Sequence, residues 1–282
     1  MSVLVGMNFY PATGDAGRRQ DHAIAALRGL ANVSVVNLQW PDAVFAVDGI
    51  PTVARLQRDS RTVSGCPGRR KPIISEMLQI LATEAMARGC RQFLFANADI
   101  EITPAAIAEA ARGATDGCVF VRTDLDPVTR APLGVMRFGV DAFAFDVAWW
   151  QRHRKRFRAY IAGEPVWDNV YTAILLTHSN ARFLDGEGLV LHERHESPWR
   201  GSPFDDYTWY LAALDRPYFA RWAAFHAELT QLAKTGPLDP AAVRMLRERV
   251  FTPRALWRGR PLQWARALKA GIRYAVREGK HS

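Results

Sequence analysis

The run Phe93-Leu94-Phe95-Ala96 has no polar face and is followed at once by Asn97-Ala98-Asp99-Ile100-Glu101-Ile102-Thr103-Pro104. An apolar stretch that short, bounded by polar residues, suits a strand buried on both faces of a mostly parallel sheet, although one buried helical turn has the same pattern. The continuation favours the strand. Thr103 suits a helix N-cap and Pro104 the first helical position, Ala105 to Ala111 are helix formers, and Gly113 is a stop. The unit reads strand, acidic turn, helix. In open α/β sheets ligands lie at the carboxyl ends of strands, where Asn97, Asp99 and Glu101 would project. Oxygen ligands spaced i and i+2 there can hold a hard divalent cation that neutralises a nucleotide diphosphate. Asp99 as a simple turn cap accounts for the pattern equally well.

The rest of the chain is consistent with an α/β fold. Val3-Leu4-Val5, a helix through Ile24, Leu27 and Leu30, and Val33 to Leu38 make a βαβ opening. Gly14 and Gly17 form neither a GxGxxG nor a Walker loop, which disfavours dinucleotide and P-loop chemistry. From Asp59 to Lys71 the composition describes a mobile loop. It ends in Arg69, Arg70 and Lys71 before a helix through Ile73, Met77 and Leu81 that Gly89 terminates. Those cations can meet a phosphate or form a solvated turn. Cys118 to Val121 is a further strand, and Asp124-Leu125-Asp126 after it is a rival metal pair, read as solvated loop because Pro127 and its successors hold no helix.

Arg137 to Phe145 alternates like a strand. Gly163-Glu164-Pro165-Val166-Trp167-Asp168-Asn169 then precedes an apolar helix from Val170 to Leu176. Two carboxylates beside an indole suit a site that stacks a sugar and deprotonates a hydroxyl; a core Trp167 with Asp168 or Asn169 as N-cap is the plainer reading. His192 and His195 in Leu191-His192-Glu193-Arg194-His195 have a spacing at which both can serve one metal, or one can stand behind the other, without the HExxH pattern.

In this order the segments resemble nucleotide-sugar glycosyltransferases of the GT-A fold, in a bacterial family-2-like form, over roughly residues 3 to 198. FANADI is similar to an N-x-D-I variant of the Asp-x-Asp motif, GEPVWDN to the acceptor-side motif, and LHERH to the segment whose histidine completes a metal shell. Asn97 stands where the family has its first aspartate. The resemblance implies a GT-A-like, Rossmann-like, mostly parallel central sheet flanked by helices, with a catalytic domain over 1–202 and a helical, basic C-terminal extension over 203–282. It implies Asp168, with Glu164 second, as the catalytic carboxylate, and Arg69, Arg70, Lys71, Asn97 and Asp99 around the donor. It places Asp99, His192 or His195, and an assisting Glu101 around Mn2+ or Mg2+, with Trp167 and Asp141 on the acceptor side. The implied reaction is metal-dependent glycosyl transfer from a nucleoside diphosphate sugar to a hydroxyl of a glycan or lipid-linked glycan, leaning towards inversion. A metal-dependent phosphohydrolase or nucleotidyltransferase, and a non-catalytic binding module, remain the rivals.

Charge and cysteine content bound the surroundings. Of the formal charge of +9, a surplus of seven lies between Phe251 and Ser282, where eight Lys/Arg face only Glu278. That is a near-neutral body with a basic tail, not a nucleic-acid binder. From Pro261 the tail has helical spacing of Leu262, Trp264, Leu268 and Ile272 against Arg266, Lys269, Arg273 and Arg277, which suits an anionic membrane surface or docking on its own domain. Cys66, Cys90 and Cys118 suggest neither a disulfide framework nor a cysteine–zinc site. With no basic leader and no apolar run long enough to span a bilayer, the expected place is the cytoplasm, peripheral to the membrane.

Overall fold

A computed structural model describes residues 3–31, 33–112, 115–195 and 201–252. The chain opens with β1 (Val3–Met7), α1 (Gly14–Arg28), β2 (Ser34–Gln39) and β3 (Thr52–Ala54), followed by α2 (Ser60–Ser64), α3 (Ile74–Ala87) and β4 (Gln92–Ala96). β5 (Ile100–Ile102), α4 (Pro104–Ala111), β6 (Gly117–Leu125), β7 (Pro132–Asp146) and α5 (Val147–His153) come next. α6 (Trp167–His178), β8 (Arg182–Leu184), β9 (Val190–Glu193) and three helices, α7 (Asp205–Leu214), α8 (Arg216–Lys234) and α9 (Pro240–Val250), complete it.

The strands form one mixed sheet in the order β3-β2-β1-β4-β7-β6-β9-β5, with β8 also on β6. β3, β2, β1 and β4 run parallel; β7 is antiparallel to both β4 and β6. One edge of β6 is shared, its first half pairing β8 and its second half β9, both parallel. The result is the α/β sheet flanked by helices that the apolar strands foretell.

Two-sided burial explains why β4 carries no polar face. Phe93 and Phe95 point into the cluster packed under α3 and α6, while Leu94 and Ala96 point into the cluster shared with α1 and α4. β7 repeats the division, with Phe143 and Phe145 on the first side and Ala142 and Ala144 on the second. Phe93 stacks on Phe145 at 5.4 Å between ring centroids, and Trp150 meets Phe145 edge-on at the same separation. The opposite face takes small residues because α4, rich in alanine, lies close.

Thr103 caps α4 as its sequence suggests, accepting from the Ala106 amide, and Pro104 occupies the first turn. The acidic turn does not run directly into that helix, however. Ile100–Ile102 form a short strand against Val190–His192, because two isoleucines that flank Glu101 give a period of two. The segment from Asp59 to Lys71 is likewise more ordered than a mobile loop. Asp59 and Thr62 form a capping box on α2, and Arg61 donates to the Gly68 carbonyl. Asp124 and Asp126 are not a solvated pair: Asp124 is buried in β6, and Asp126 closes a turn by accepting from the Val128 and Thr129 amides.

The helices after residue 203 do not stand apart. Trp222, Phe225 and Leu229 of α8 and Val243 and Leu246 of α9 belong to the apolar cluster that contains α3 and α6. Among the described residues no helix is long and apolar enough to cross a membrane. The basic amphipathic run from Pro261 lies outside the described residues.

Candidate functional site

The strand order reverses between β1 and β4. From β1 the chain crosses to β2 on one side and later returns to β4 on the other, so a crevice opens at the carboxyl ends of these two parallel strands. Tyr10, just beyond β1, is held there by Gln20, which accepts from the Tyr10 amide at 3.1 Å and donates to its carbonyl at 2.9 Å. The Arg69 guanidinium lies over the Tyr10 ring at 4.6 Å. Burial raises the tyrosine pKa, and the charge of Asp99 adds to the rise, so Tyr10 lies within the electrostatic reach of both Arg69 and Asp99.

Asp99 itself sits in the turn after β4 and is partly open. The register of β9 brings histidine to it. His192 lies opposite Ile100 on one neighbouring strand and opposite Asp124 on the other. Asp99 Oδ2 is 3.3 Å from His195 Nε2 and 3.8 Å from His192 Nε2. His192 Nδ1 is 3.2 Å from Asp124 Oδ1. Asp124 thus stands behind Nδ1 of His192, and Nε2 faces Asp99. Burial raises the Asp124 pKa, but the His192 hydrogen bond and the Arg122 charge prevail and hold it below the usual carboxylate range. Asp99 behaves alike: burial is opposed by the His195 hydrogen bond and by the charges of His192 and His195, and the net direction is down.

One ligand atom from each of Asp99, His192 and His195 lies within 4.8 Å of the others. Two imidazole nitrogens and one carboxylate oxygen fit a borderline divalent cation, and the carboxylate behind His192 is the usual support for a metal-bound imidazole.

Glu101 is not part of this set. Both its oxygens accept from Arg130 Nη2, at 2.6 and 2.7 Å, and that arginine adopts φ 59° at the turn before β7. Where the sequence suggests that Glu101 assists the metal, it pairs instead with an adjacent guanidinium, apart from the three clustered residues.

A second group of acids lies on the other side of Arg122. Arg122 Nε donates to Asp124 at 2.9 Å and Arg122 Nη1 to Asp141 at 2.6 Å. Asn97 Nδ2 donates to the other oxygen of Asp141 at 2.9 Å. Asn97 thus orients an acid at the site. Asp168, in the first turn of α6, is half-buried, and burial followed by the charge of Asp141 pushes its pKa up to about 7. Before it, Val166 takes φ 80°, a left-handed conformation that a β-branched residue adopts at a cost of roughly 1–3 kcal/mol. Asp168 and Asn169 are not the N-cap, since that position is Val166, which offers no side-chain acceptor.

Two acceptor-side expectations are corrected. Trp167 is 3% exposed and packs edge-on against Phe95 and Tyr171, so its ring is core and offers no sugar platform. Glu164 is buried as the partner of Lys71 Nζ at 2.6 Å and of the Ser202 hydroxyl at 2.9 Å. Lys71 is paired there, and Arg70 bonds Asp59 and Asp42 and covers Trp40. Of the basic triplet, Arg69 is the member that lies over Tyr10.

Sequence reasoning missed Arg122, and read Asp124 as half of a solvated loop pair with Asp126. Ending the strand at Val121 hid them; extended to Leu125, the period of two puts both side chains on one face. Two open clefts of about 520 and 500 Å3 lie elsewhere, one beside Arg91, Asp116 and Asp146 and the other beside Arg55, Arg58 and Glu76.

No family model matches the chain, and no curated protein matches it. Among solved structures it is similar to a mannose-1-phosphate geranyltransferase from Thermus thermophilus, at 15% identity and TM-score 0.33, over 55% of this chain and 60% of that one. It is also similar to the mannosyltransferase PcManGT from Pyrobaculum calidifontis, described in complex with GDP-Man and Mn2+, at 12% identity and TM-score 0.40 over 98% and 75%. A third is the galactosyltransferase LgtC in complex with donor and acceptor sugar analogues, at 12% identity and TM-score 0.36 over 87% and 100%.

Proposed function

We propose that the chain is a glycosyltransferase that moves a sugar from a nucleoside diphosphate to an acceptor hydroxyl. One observation carries the reading: Asp99, His192 and His195 converge at the strand-order reversal, and a carboxyl with a pKa near 7, Asp168, lies across Arg122 and Asp141 from them. A metal site and a base joined through one ion-pair network suit transfer to a hydroxyl.

Asp99, His192 and His195 would hold Mn2+, which when bound supplies positive charge to the departing diphosphate. Tyr10 offers its ring to a nucleoside, with Arg69 above it to meet phosphate charge. In inverting transfer, Asp168 takes the acceptor hydroxyl proton as the acceptor oxygen bonds the anomeric carbon and the bond from that carbon to the diphosphate oxygen breaks. A pKa near the working pH serves that role, and such groups contribute about 10²–10⁴-fold in rate. Inversion is the form of the reaction in which Asp168 has work to do. The acceptor class put forward is a glycan or lipid-linked glycan on the cytoplasmic side of a membrane, met through the basic tail.

The test is melting temperature with a panel of nucleoside diphosphates and their sugars, with and without Mn2+, on wild type and Asp99→Ala. The reading expects one nucleotide class to raise the melting temperature only with Mn2+, and the rise to vanish in Asp99→Ala. A nucleotide shift that ignores both Mn2+ and Asp99→Ala, or no shift across the panel, would overturn it.

A further inference from the structure

Arg122 touches both halves of the site. Its Nε reaches Asp124, the carboxylate behind His192, and its Nη1 reaches Asp141, the carboxylate that Asn97 orients and whose charge acts on Asp168. The backbone is shaped to allow it. Val121 pairs with Val140, but Arg122 pairs with Met136, so Arg137, Phe138 and Gly139 bulge out of β7 beside the arginine. A Cβ at Gly139 would stand 2.7 Å from Arg122 Nε and 2.8 Å from Cζ. The guanidinium occupies the space that a side chain at 139 would take.

We propose that Arg122 is a positioning residue that holds the His192 side and the Asp141–Asp168 side of the site in one register, a role that rests on the glycosyl-transfer reading. The planar guanidinium bonds the two aspartates through separate edges. Lysine, with one ammonium on a flexible stem, lacks that geometry. Without Arg122, Asp124 and Asp141 would be two buried like charges with no shared cation. His192 would lose the fixed orientation of its supporting carboxylate, and Asp168 would face Asp141 unscreened.

A purely structural salt bridge would lower the melting temperature and leave the folded site unchanged, so the test reads the site. Mn2+ alone is titrated into wild type, Arg122→Gln, Arg122→Lys, Asp124→Asn and the Arg122→Gln/Asp124→Asn double variant. The Asp168 titration is followed by carboxyl NMR in the metal-free proteins. Arg122→Gln and Asp124→Asn are each expected to weaken Mn2+ binding about 10–100-fold, with the double variant no weaker than the worse single one, because both act on His192 through one path. Arg122→Lys is expected to fall short of restoring wild-type affinity. The Asp168 midpoint is expected to rise in Arg122→Gln and to stay in place in Asp124→Asn. Wild-type Mn2+ affinity in folded Arg122→Gln, or losses that multiply in the double variant, would overturn the proposal. Should the wild type bind no Mn2+, the metal reading fails separately, and an unmoved Asp168 midpoint in Arg122→Gln then overturns the positioning role while a raised one upholds it. If Arg122→Gln does not fold, Gly139→Ala keeps every charge, displaces the guanidinium, and is read by the same two measurements.

Discussion

In the proposed reaction, Asp168 carries the chemistry in one proton. Burial, with the charge of Asp141 behind it, holds the carboxyl at about 7, and Asp168→Asn removes the proposed proton acceptor while keeping the shape. Turnover of the variant is expected to fall about 100-fold or more, with much smaller change in donor binding, measured as kcat and as the nucleotide-induced melting shift. In wild type the acidic limb of kcat/KM should bend near pH 7. Stability runs the other way: the folded pKa lies above the unfolded value of 3.8, so the folded state binds the extra proton in between. The contribution of this group is fully present below about pH 4 and is lost as pH rises through about 7. Melting temperature against pH should therefore decline less over that window in Asp168→Asn. Asp99 and Asp124 have the opposite sign, since each is held below its ordinary pKa, and their contribution disappears only as pH falls below that value. How much of this was readable beforehand varies residue by residue. Asp99, His192, His195 and Asp168 stood out because carboxylates and imidazoles beside apolar runs are conspicuous in one dimension. Arg122 did not, because what distinguishes it is partners at positions 124 and 141, and the second is brought near by strand pairing.

At the scale of elements, the contact between α3 and β1 depends on a residue with no side chain. Gly6 lies where a Cβ would stand 2.0 Å from Leu81 Cδ2. Gly6→Ala should cost about 1–3 kcal/mol by overpacking, read from denaturant unfolding. The cost should be partly relieved in Gly6→Ala/Leu81→Ala, where the added methyl has room; losses that simply add would place the strain elsewhere. The same helix shows why the fold was legible. β4 and α3 announce themselves by apolar runs and periodicity, and Thr103-Pro104 by capping chemistry. The register of β9 between β5 and β6, by contrast, is set by long-range pairing, and the bulge in β7 has no sequence signal beyond Gly139. A second element contact has its own pH signature. His178, at the end of α6, bonds the Tyr218 hydroxyl of α8 at 2.8 Å, and burial, with nearby Arg156, lowers its pKa to about 4. Its folded pKa lies below the unfolded 6.5, so the stabilisation is full above that pH and drains away down to about 4. In His178→Gln the melting temperature should lose less between pH 6.5 and 4 than in wild type; an identical slope would show that another group carries it.

For the whole molecule, the question is whether the helices after residue 203 are an appendage or part of the folding unit. Trp222, Phe225 and Leu229 are fully buried in the cluster that covers one face of the sheet. Asp215 accepts from Arg158 Nε at 2.8 Å and from the Tyr160 hydroxyl at 3.2 Å, while Arg247 donates to the Ser179 carbonyl at 2.8 Å. Burying a side chain of the Trp, Phe or Leu kind contributes about 1.5–3 kcal/mol. The three on α8 alone thus approach the roughly 5–15 kcal/mol that typically separates folded from unfolded domains. A chain ending at residue 202 would also leave Phe183 facing water, since it packs on both Trp222 and Phe225. Such a fragment is expected to lose its cooperative melting transition and its Mn2+ binding together, although Asp99, His192, His195 and Asp168 all precede the cut. A fragment that melts sharply and binds Mn2+ as the full chain does would mean that the sheet supports its site alone, with the later helices covering a face that can bear exposure.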